Sequence, residues 1–211
     1  MKKDIEQFID KFKKFNLSKE DLDTVSSNVK IMEFKKGDDV IVNKNSCQGF
    51  IYVLKGNLRA YAISTTGKEI TVFNLNSGDE CILCANCMTD NLQLELNLQA
   101  NKDTKILLLH SSYFSVLKDK YPSIASFVVE LLSIRLVSAI KVMTQALFTP
   151  ITQRIIDFLK QNATNNQIQI THEILASHLG TAREVVSRIL KDMEKENLIK
   201  LERGKIIILN L

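Results

Sequence analysis

Two short stretches of helical periodicity near the carboxyl end constrain the fold of this chain most. Residues 171–180 read THEILASHLG, and a second amphipathic pattern follows at 182–195. Gly180 separates the two, and Thr171 and Thr181 are candidate N-cap residues, because a threonine hydroxyl can accept a hydrogen bond from the first helical turn. Two short helices joined by a tight turn that contains glycine predict a helix-turn-helix.

The second helix has an apolar side and a polar side. We expect the apolar side to be buried, and it consists of Val185, Val186, Ile189, Leu190 and Met193. The polar side consists of Arg183, Glu184, Ser187, Arg188 and Lys191, and these five residues, together with Thr171 and Thr181, are the expected DNA contacts. Arginine donates two hydrogen bonds to guanine and glutamate accepts one from cytosine, so this side suits base edges in a major groove. In the first helix we expect Ile174, Leu175 and Leu179 to face inward.

A hairpin is predicted directly after these helices. Apolar runs at 198–201 and 205–209 flank Glu202-Arg203-Gly204, which is typical of the wing of a winged helix-turn-helix. Arg203 and Lys205 at its tip are expected to contact phosphates, which would position the protein without reading sequence. The alternative is an ordinary helical hairpin at 171–195. The wing and the polar helix face together favour DNA binding.

The middle of the chain has a different periodicity. Between residues 31 and 109, short apolar runs alternate with turn signals about every 8–12 residues, which predicts an antiparallel sandwich or barrel. Gly56 and Gly67 lie in good hairpin turns. The runs are 31–34, 40–42, 50–54, 58–63, 70–75, 92–100 and 105–109. Residues 1–30 are expected to form a helical pair packed on this domain, with Ser18 at the start of the second helix.

A long helix is predicted between the two regions. Residues 123–147 contain no glycine or proline after Pro122, and they would span roughly 37 Å at about 1.5 Å per residue. The apolar face is too wide for packing on one side only, so we expect part of it to pair with a second copy of the chain. The expected dimer interface is Phe127, Leu131, Ile134, Val137 and Ile140.

The stretch ITHEILASHLGTAREVVSRILKDMEKENLIKLERGKIIILN resembles the DNA-binding domain of the Crp/Fnr family of transcription regulators. The resemblance implies an α+β fold in three parts. These are a cyclic-nucleotide-binding-like antiparallel β-roll with N-terminal helices (1–110), a long dimerisation helix region (111–148) and a winged helix-turn-helix (149–211). A sequence-specific regulator is therefore expected and not an enzyme, since no catalytic constellation is visible.

The resemblance also implies a DNA site. Glu184, Ser187 and Arg188 match the base-reading pattern of the Fnr branch, whose half-sites read TTGAT, rather than that of the Crp branch, which reads TGTGA. Arg183 is shared with Crp-like members. We predict a palindrome of TTGA and TCAA separated by about six base pairs. The expected partners are double-stranded DNA, a second copy of the chain and RNA polymerase.

The expected effector is not cyclic AMP. In members that bind cyclic nucleotides, a Gly-Glu pair starts the phosphate-binding segment, and an Arg-Ser pair about eleven residues later neutralises the phosphate. Gly78-Asp79-Glu80 matches the start, but the later strand carries Glu95, and no arginine occurs between Arg59 and Arg135. The expected effector pocket comprises Gly78, Asp79, Glu80, Cys81 and Glu95.

The four cysteines leave several interpretations open. Cys81, Cys84 and Cys87, with Cys47 as a fourth ligand, have the ligand count of an iron–sulfur cluster, and zinc would also suit thiolates. A redox-active thiol switch is a further alternative. We prefer small buried side chains, because cysteine is among the most buried residue types. The corresponding alternatives for the whole chain are an iron–sulfur or thiol sensor, and a DNA-binding protein that needs no effector.

The remaining expectations concern location. The net charge of +4 does not by itself identify a nucleic-acid binder. No apolar run approaches the roughly 20 residues that a membrane span needs. The N-terminus does not resemble a signal peptide. We therefore expect a cytoplasmic protein without membrane contact.

Overall fold

The computed structural model describes residues 2–40, 49–82 and 96–211. The chain divides into two compact units: one contains Met1–Tyr61 and Phe73–Ser138, and the other contains Ala62–Val72 and Ala139–Leu211. The second unit therefore includes residues 62–72, a stretch that the sequence pattern grouped with the strands of the middle region.

Seven helices and ten strands lie in the described ranges. The helices are α1 (Lys2–Lys13), α2 (Lys19–Asn28), α3 (Ser111–Lys120), α4 (Pro122–Phe148), α5 (Ile151–Asn162), α6 (His172–Leu179) and α7 (Arg183–Lys195). The strands are β1 (Val29–Phe34), β2 (Gly49–Lys55), β3 (Asn57–Ile63), β4 (Glu69–Asn76), β5 (Glu80–Ile82), β6 (Asn97–Ala100), β7 (Thr104–His110), β8 (Gln167–Gln169), β9 (Ile199–Glu202) and β10 (Lys205–Ile208). The predicted strand at 40–42 and the first part of that at 92–100 lie largely outside the described residues.

The strands that precede α3 form antiparallel sheets, which confirms the predicted fold class. One sheet has the order β1-β7-β2-β5 and the other the order β4-β3-β6. Strand β7 pairs antiparallel with both β1 and β2. Aromatic rings from α1 pack on β2, with the ring centroids of Phe12 and Phe50 5.6 Å apart, and Phe50 stacks on Phe114 of α3 at 5.3 Å. Burial of these large rings supplies much of the apolar area that holds the N-terminal helices on the sheet.

The start of α2 is held by a hydrogen-bond network around Asp21. The Ser18 hydroxyl caps the helix by accepting from the Asp21 backbone N–H at 3.2 Å, as predicted. The Asp21 carboxylate accepts from Lys120 Nζ at 2.7 Å, from the Ser18 hydroxyl and from the Tyr121 hydroxyl. The lysine contact, followed by the two hydroxyl contacts, lowers the pKa of Asp21 from 3.8 to about 2.

Asp21→Asn should therefore change how the protein responds to acid. A carboxylate whose folded pKa is depressed stabilises the fold above its usual pKa, and this contribution is lost as the pH falls from about 4 toward about 2. Urea unfolding across this range should show a smaller loss of stability in Asp21→Asn than in the wild type. Asp23→Asn, an exposed position on the same helix, is the control. Equal acid sensitivity in all three proteins would contradict the assignment.

The long helix α4 begins at Pro122, as predicted, and its two halves differ. Ile124, Phe127, Val128 and Leu131 in the first half are buried in the core with the aromatic cluster. By length and hydropathy alone α4 would qualify as a membrane span, contrary to the expectation from the sequence. Four side chains of its first half pack into a protein core rather than toward lipid. We therefore interpret α4 as a protein-packing helix.

The second unit is built around a small core of its own. Helices α5, α6 and α7 pack with a three-stranded sheet of order β8-β10-β9. Its buried residues include Ile155, Leu159, Leu175, Leu179, Val186, Leu190, Met193, Ile199 and Ile206. Strand β8 was not predicted, since a strand of three residues has too short a pattern to detect. The core leaves one side of α7 uncovered.

Candidate nucleic-acid interface

The turn between α6 and α7 sets the position of α7. The Thr171 hydroxyl caps α6 by accepting from the Ile174 backbone N–H at 3.2 Å, as predicted. Gly180 ends α6 in the left-handed conformation, at φ 65°, and the Thr181 N–H bonds to the Ala176 carbonyl at 3.1 Å. A left-handed glycine after a helix is a common way to satisfy its last carbonyls.

Two details of this helix pair differ from the sequence prediction. Thr181 does not cap α7, because it belongs to the turn after Gly180, and the N-cap residue is Ala182, which has no side-chain hydrogen bond to offer. Ile174 does not face inward: it is 45% exposed, while its neighbour Leu175 is fully buried. The α6 core contacts begin one residue later than the apolar pattern indicated.

The polar side of α7 is accessible, as the amphipathic pattern predicted. Arg183, Glu184, Arg188 and Lys191 are exposed, and Ser187 is half-buried among them. These five side chains line one shallow surface concavity. On the opposite side of the helix, Val186, Leu190 and Met193 are buried. The helix thus presents two guanidinium groups, one amine, one carboxylate and one hydroxyl on a single surface.

Two contacts tie this polar side to α6. Arg183 Nε lies 3.9 Å from a Glu173 carboxylate oxygen, and both side chains are largely exposed, so this pair is weak and easily exchanged for another partner. The Ser187 hydroxyl lies 2.8 Å from His172 Nδ1. Burial, and then the charges of Arg183 and Lys191, lower the pKa of His172.

From the sequence, His172 was expected at the surface or at a DNA phosphate, and nothing linked it to Ser187. Fifteen positions separate it from Ser187, and no helical spacing relates two residues on different helices. The only available signal was its place directly after the capping Thr171. In the structure His172 lines a cavity of about 290 Å³ between α6, α7 and the wing. Thr171, Arg183 and Lys205, all predicted DNA contacts, line the same cavity.

The wing forms where the sequence predicted it. Strands β9 and β10 pair antiparallel with Glu202 opposite Lys205, so Arg203 and Gly204 make the turn. Arg203 is exposed at this tip. Lys205 lies 3.3 Å from Glu202, and Lys200 lies 3.2 Å from the same carboxylate. Hydrogen bonds from Lys200 and Lys205 lower the pKa of Glu202. Lys205 is thus partly engaged within the wing, whereas Arg203 points outward from the turn.

The predicted effector region is only partly described. Glu95, Cys47, Cys84 and Cys87 lie outside the described residues. Cys81 is buried on β5, opposite Ile51 of β2. Among the described residues there is no group of three or more histidine, cysteine or acidic side chains that could hold a metal ion.

Glu80 connects β5 to two other elements. Lys11 Nζ of α1 lies 3.3 Å from the Glu80 carboxylate, and Arg135 Nη2 of α4 donates to the Glu80 backbone carbonyl at 2.8 Å. The Arg135 guanidinium also lies over the Phe73 ring, 4.6 Å from its centroid. From the sequence, Arg135 was recognisable only as the next arginine after Arg59, because its contact with Glu80 joins residues that are far apart in the chain.

Part of the predicted dimer interface on α4 is buried within its own chain. Phe127 and Leu131 are 8% and 6% exposed and belong to the core of their own chain. The prediction that they form part of the dimer interface was therefore wrong. Ile134, Val137 and Ile140 are 47%, 66% and 48% exposed. Further exposed apolar side chains on this helix are Val129, Leu136, Met143, Leu147 and Phe148. The uncovered apolar surface thus lies mainly on the second half of α4.

Comparisons with known proteins agree with this geometry. Residues 153–211 match the model of the Crp-like helix-turn-helix domain. A solved structure from Eubacterium rectale, described as a transcriptional regulator of the Crp/Fnr family, is 31% identical with a TM-score of 0.87 and covers 92% of this chain and 91% of that one.

Two further relatives are more distant. The cyclic AMP receptor protein of Thermus thermophilus is 25% identical over 194 residues, which are 90% of this chain and 88% of that protein. The c-di-GMP-responsive global regulator CLP of Xanthomonas campestris has a TM-score of 0.77 at 16% identity, over 92% of this chain and all of that one (100%). At this identity the second likeness shows the fold alone.

Proposed function

The chain belongs to the Crp/Fnr family of transcription regulators, and on that premise we propose that it acts in the cytoplasm as a homodimer on a palindromic DNA site. Members of the family are regulators and not enzymes, and the helix-turn-helix implies DNA as the partner. The proposal concerns three finer points: the site that is read, the dimer that reads it and the signal that controls it.

The observation that carries the proposal is the exposed polar side of α7. Arg183, Glu184 and Arg188 stand free of the core, while Val186, Leu190 and Met193 on the other side of the same helix are buried. A helix held in this way can enter a major groove without unfolding anything. By resemblance to the Fnr branch, Glu184, Ser187 and Arg188 would read half-sites of the TTGA type, with Lys191 and Thr181 beside them.

Phosphate contacts would come from the edges of this surface. Thr171 lies at the N-terminus of α6, where backbone N–H groups favour an anion. Arg203 at the wing tip and Lys205 beside it would contact the backbone of the same duplex. Such contacts raise affinity for any sequence and make binding depend on salt.

The dimer is supported by the second half of α4. Eight large apolar side chains on this helix are exposed in the single chain, among them Val137 and Ile140. A row of apolar side chains on a helix in water is stabilised by pairing with a like helix, and an isologous pair buries both rows at once. We propose that residues 111–148 dimerise and that residues 149–211 form the DNA-binding domain.

The signal would be sensed by residues 1–110 and would be something other than cyclic AMP. The name of the Thermus thermophilus relative indicates a cyclic AMP receptor, but this chain has no arginine between Arg59 and Arg135 to neutralise a cyclic phosphate. We retain a thiol or cluster sensor at the four cysteines as the alternative signal. RNA polymerase is the proposed protein partner at a promoter.

The dimer and the groove can be tested together by changing the distance between half-sites. Two recognition helices related by a two-fold axis need half-sites about 34 Å apart, one turn of B-DNA. Full-length protein should therefore bind the TTGA palindrome best at its predicted spacing and lose affinity when about five base pairs are inserted. Restoring a full turn should restore part of the binding. Affinity that does not depend on spacing would overturn the dimer model.

A further inference from the structure

One hydrogen bond crosses from α6 to the base-reading surface of α7. His172 Nδ1 and the Ser187 Oγ lie 2.8 Å apart, and both side chains are half-buried. Ser187 is the only hydroxyl among the five side chains that line the concavity on α7. The Ser187 hydroxyl can therefore donate its hydrogen either to the His172 imidazole or to a base in the groove.

The chemistry of the two groups makes this competition specific. A serine hydroxyl has one hydrogen to donate and two lone pairs. When the ring is neutral with its proton on Nε2, Nδ1 accepts the serine hydrogen, and the hydroxyl presents only lone pairs to the groove. When the ring is protonated, Nδ1–H donates to Oγ, and the serine hydrogen turns toward the groove.

We infer that His172 is a specificity-positioning residue, because its charge state sets whether Ser187 presents a lone pair or a hydrogen to the base that it contacts. A lone pair suits the amino groups of adenine and cytosine in the major groove, whereas a hydrogen suits the carbonyl and N7 acceptors of thymine and guanine. The inference rests on the proposed function, since it requires Ser187 to lie in a groove.

The surroundings of His172 favour the neutral ring in the free protein. Arg183 and Lys191 on α7 place positive charge near it, and the wing adds Lys205. Glu173 on α6 and Glu202 on the wing oppose them. Burial and the two α7 charges lower the pKa of His172, so the ring gains its proton only as the pH falls below its ordinary range. The negative charge of phosphates in bound DNA favours the protonated ring and raises the pKa of His172 back toward neutral pH.

The test begins by locating the base pair that Ser187 reads. Full-length protein is titrated with TTGA palindromes in which each half-site position is replaced symmetrically by every base. Ser187→Ala should reduce discrimination at one position by about three- to tenfold and leave the others unchanged. At that position, wild-type preference is then measured at about pH 5.5 and about pH 8.

We expect the wild type to shift its preference by about three- to tenfold toward acceptor bases at the lower pH. His172→Asn keeps a hydrogen-bonding group in place of Nδ1 but cannot be protonated, so its preference should not vary with pH. His178→Asn, a second histidine on α6 that bonds to Thr71 rather than Ser187, should behave like the wild type. Thermal unfolding of each variant verifies that it is folded.

The outcomes separate the inference from the proposed function. If the wild type discriminates among half-sites but its preference at the Ser187 position is the same at both pH values, the inference fails and the function stands. If Ser187→Ala changes base discrimination at none of the half-site positions, the inference fails because the hydroxyl reads no base. If the wild type prefers no duplex over random DNA, the proposed function itself fails.

Discussion

Arg188→Ala is expected to lower the affinity of the dimer for its TTGA palindrome by about 30-fold to 10⁴-fold, because a bidentate arginine–guanine contact is worth about 1–3 kcal/mol and each dimer makes two. Arg188 is exposed on the same concavity as Arg183 and Lys191. Its removal leaves the packed side of α7 unchanged, so stability should stay within about 0.5 kcal/mol of the wild type.

The matched control is Lys195→Ala on the same helix. Lys195 is exposed and lies 2.9 Å from Asp192, away from the concavity. The Lys195→Ala substitution removes the same unit of charge without removing a base contact. It should therefore lower the affinity for specific and random duplexes equally, and only slightly. Fluorescence anisotropy with both duplexes at one salt concentration separates the two effects. Equal loss in both variants, on both duplexes, would mean that Arg188 contributes only charge.

Ile140→Glu is expected to dissociate the dimer and abolish specific DNA binding with it. Ile140 is 48% exposed in the single chain, and the proposed pairing would bury it against the partner helix. A two-fold axis brings two carboxylates into one apolar interface, and the uncompensated burial of each costs several kcal/mol. The dissociation constant of the dimer should rise by roughly 10³-fold or more.

Sedimentation velocity at micromolar protein measures this directly, with the wild type as a dimer and the variant as a monomer. Ala146→Glu is the matched control, because Ala146 is exposed on the same helix but lies about 120° around it from Ile140 at about 100° per residue. It should remain dimeric. A wild type that sediments as a monomer, or an Ile140→Glu variant that stays dimeric with full DNA affinity, would place the interface elsewhere.

The DNA-binding surface could be predicted from sequence because local periodicity decides it. In α7 the apolar residues repeat at helical spacing, so burying Val186 and Leu190 forces Glu184 and Arg188 to the opposite side. The capping role of Thr171 and the start of α4 at Pro122 follow from the backbone preferences of those residue types. These features need no knowledge of the rest of the chain.

Other features depend on contacts that no local pattern encodes. Helix α4 is apolar on several sides, so its pattern could not show that Phe127 and Leu131 meet their own core while Val137 stays uncovered. The pairs His172–Ser187 and Arg135–Glu80 each join separate elements. Thr181 has the chemistry of a cap, but the left-handed Gly180 shifts the start of α7 beyond it.

The central claim is that the polar side of α7 reads a palindrome, and selection of bound duplexes from a random DNA pool tests it most directly. Full-length protein should enrich two TTGA-type half-sites in inverted orientation, about one helical turn apart, and Arg188→Ala should lose the guanine from each. Enrichment of no common sequence, or of a TGTGA-type site alone, would contradict the proposed recognition.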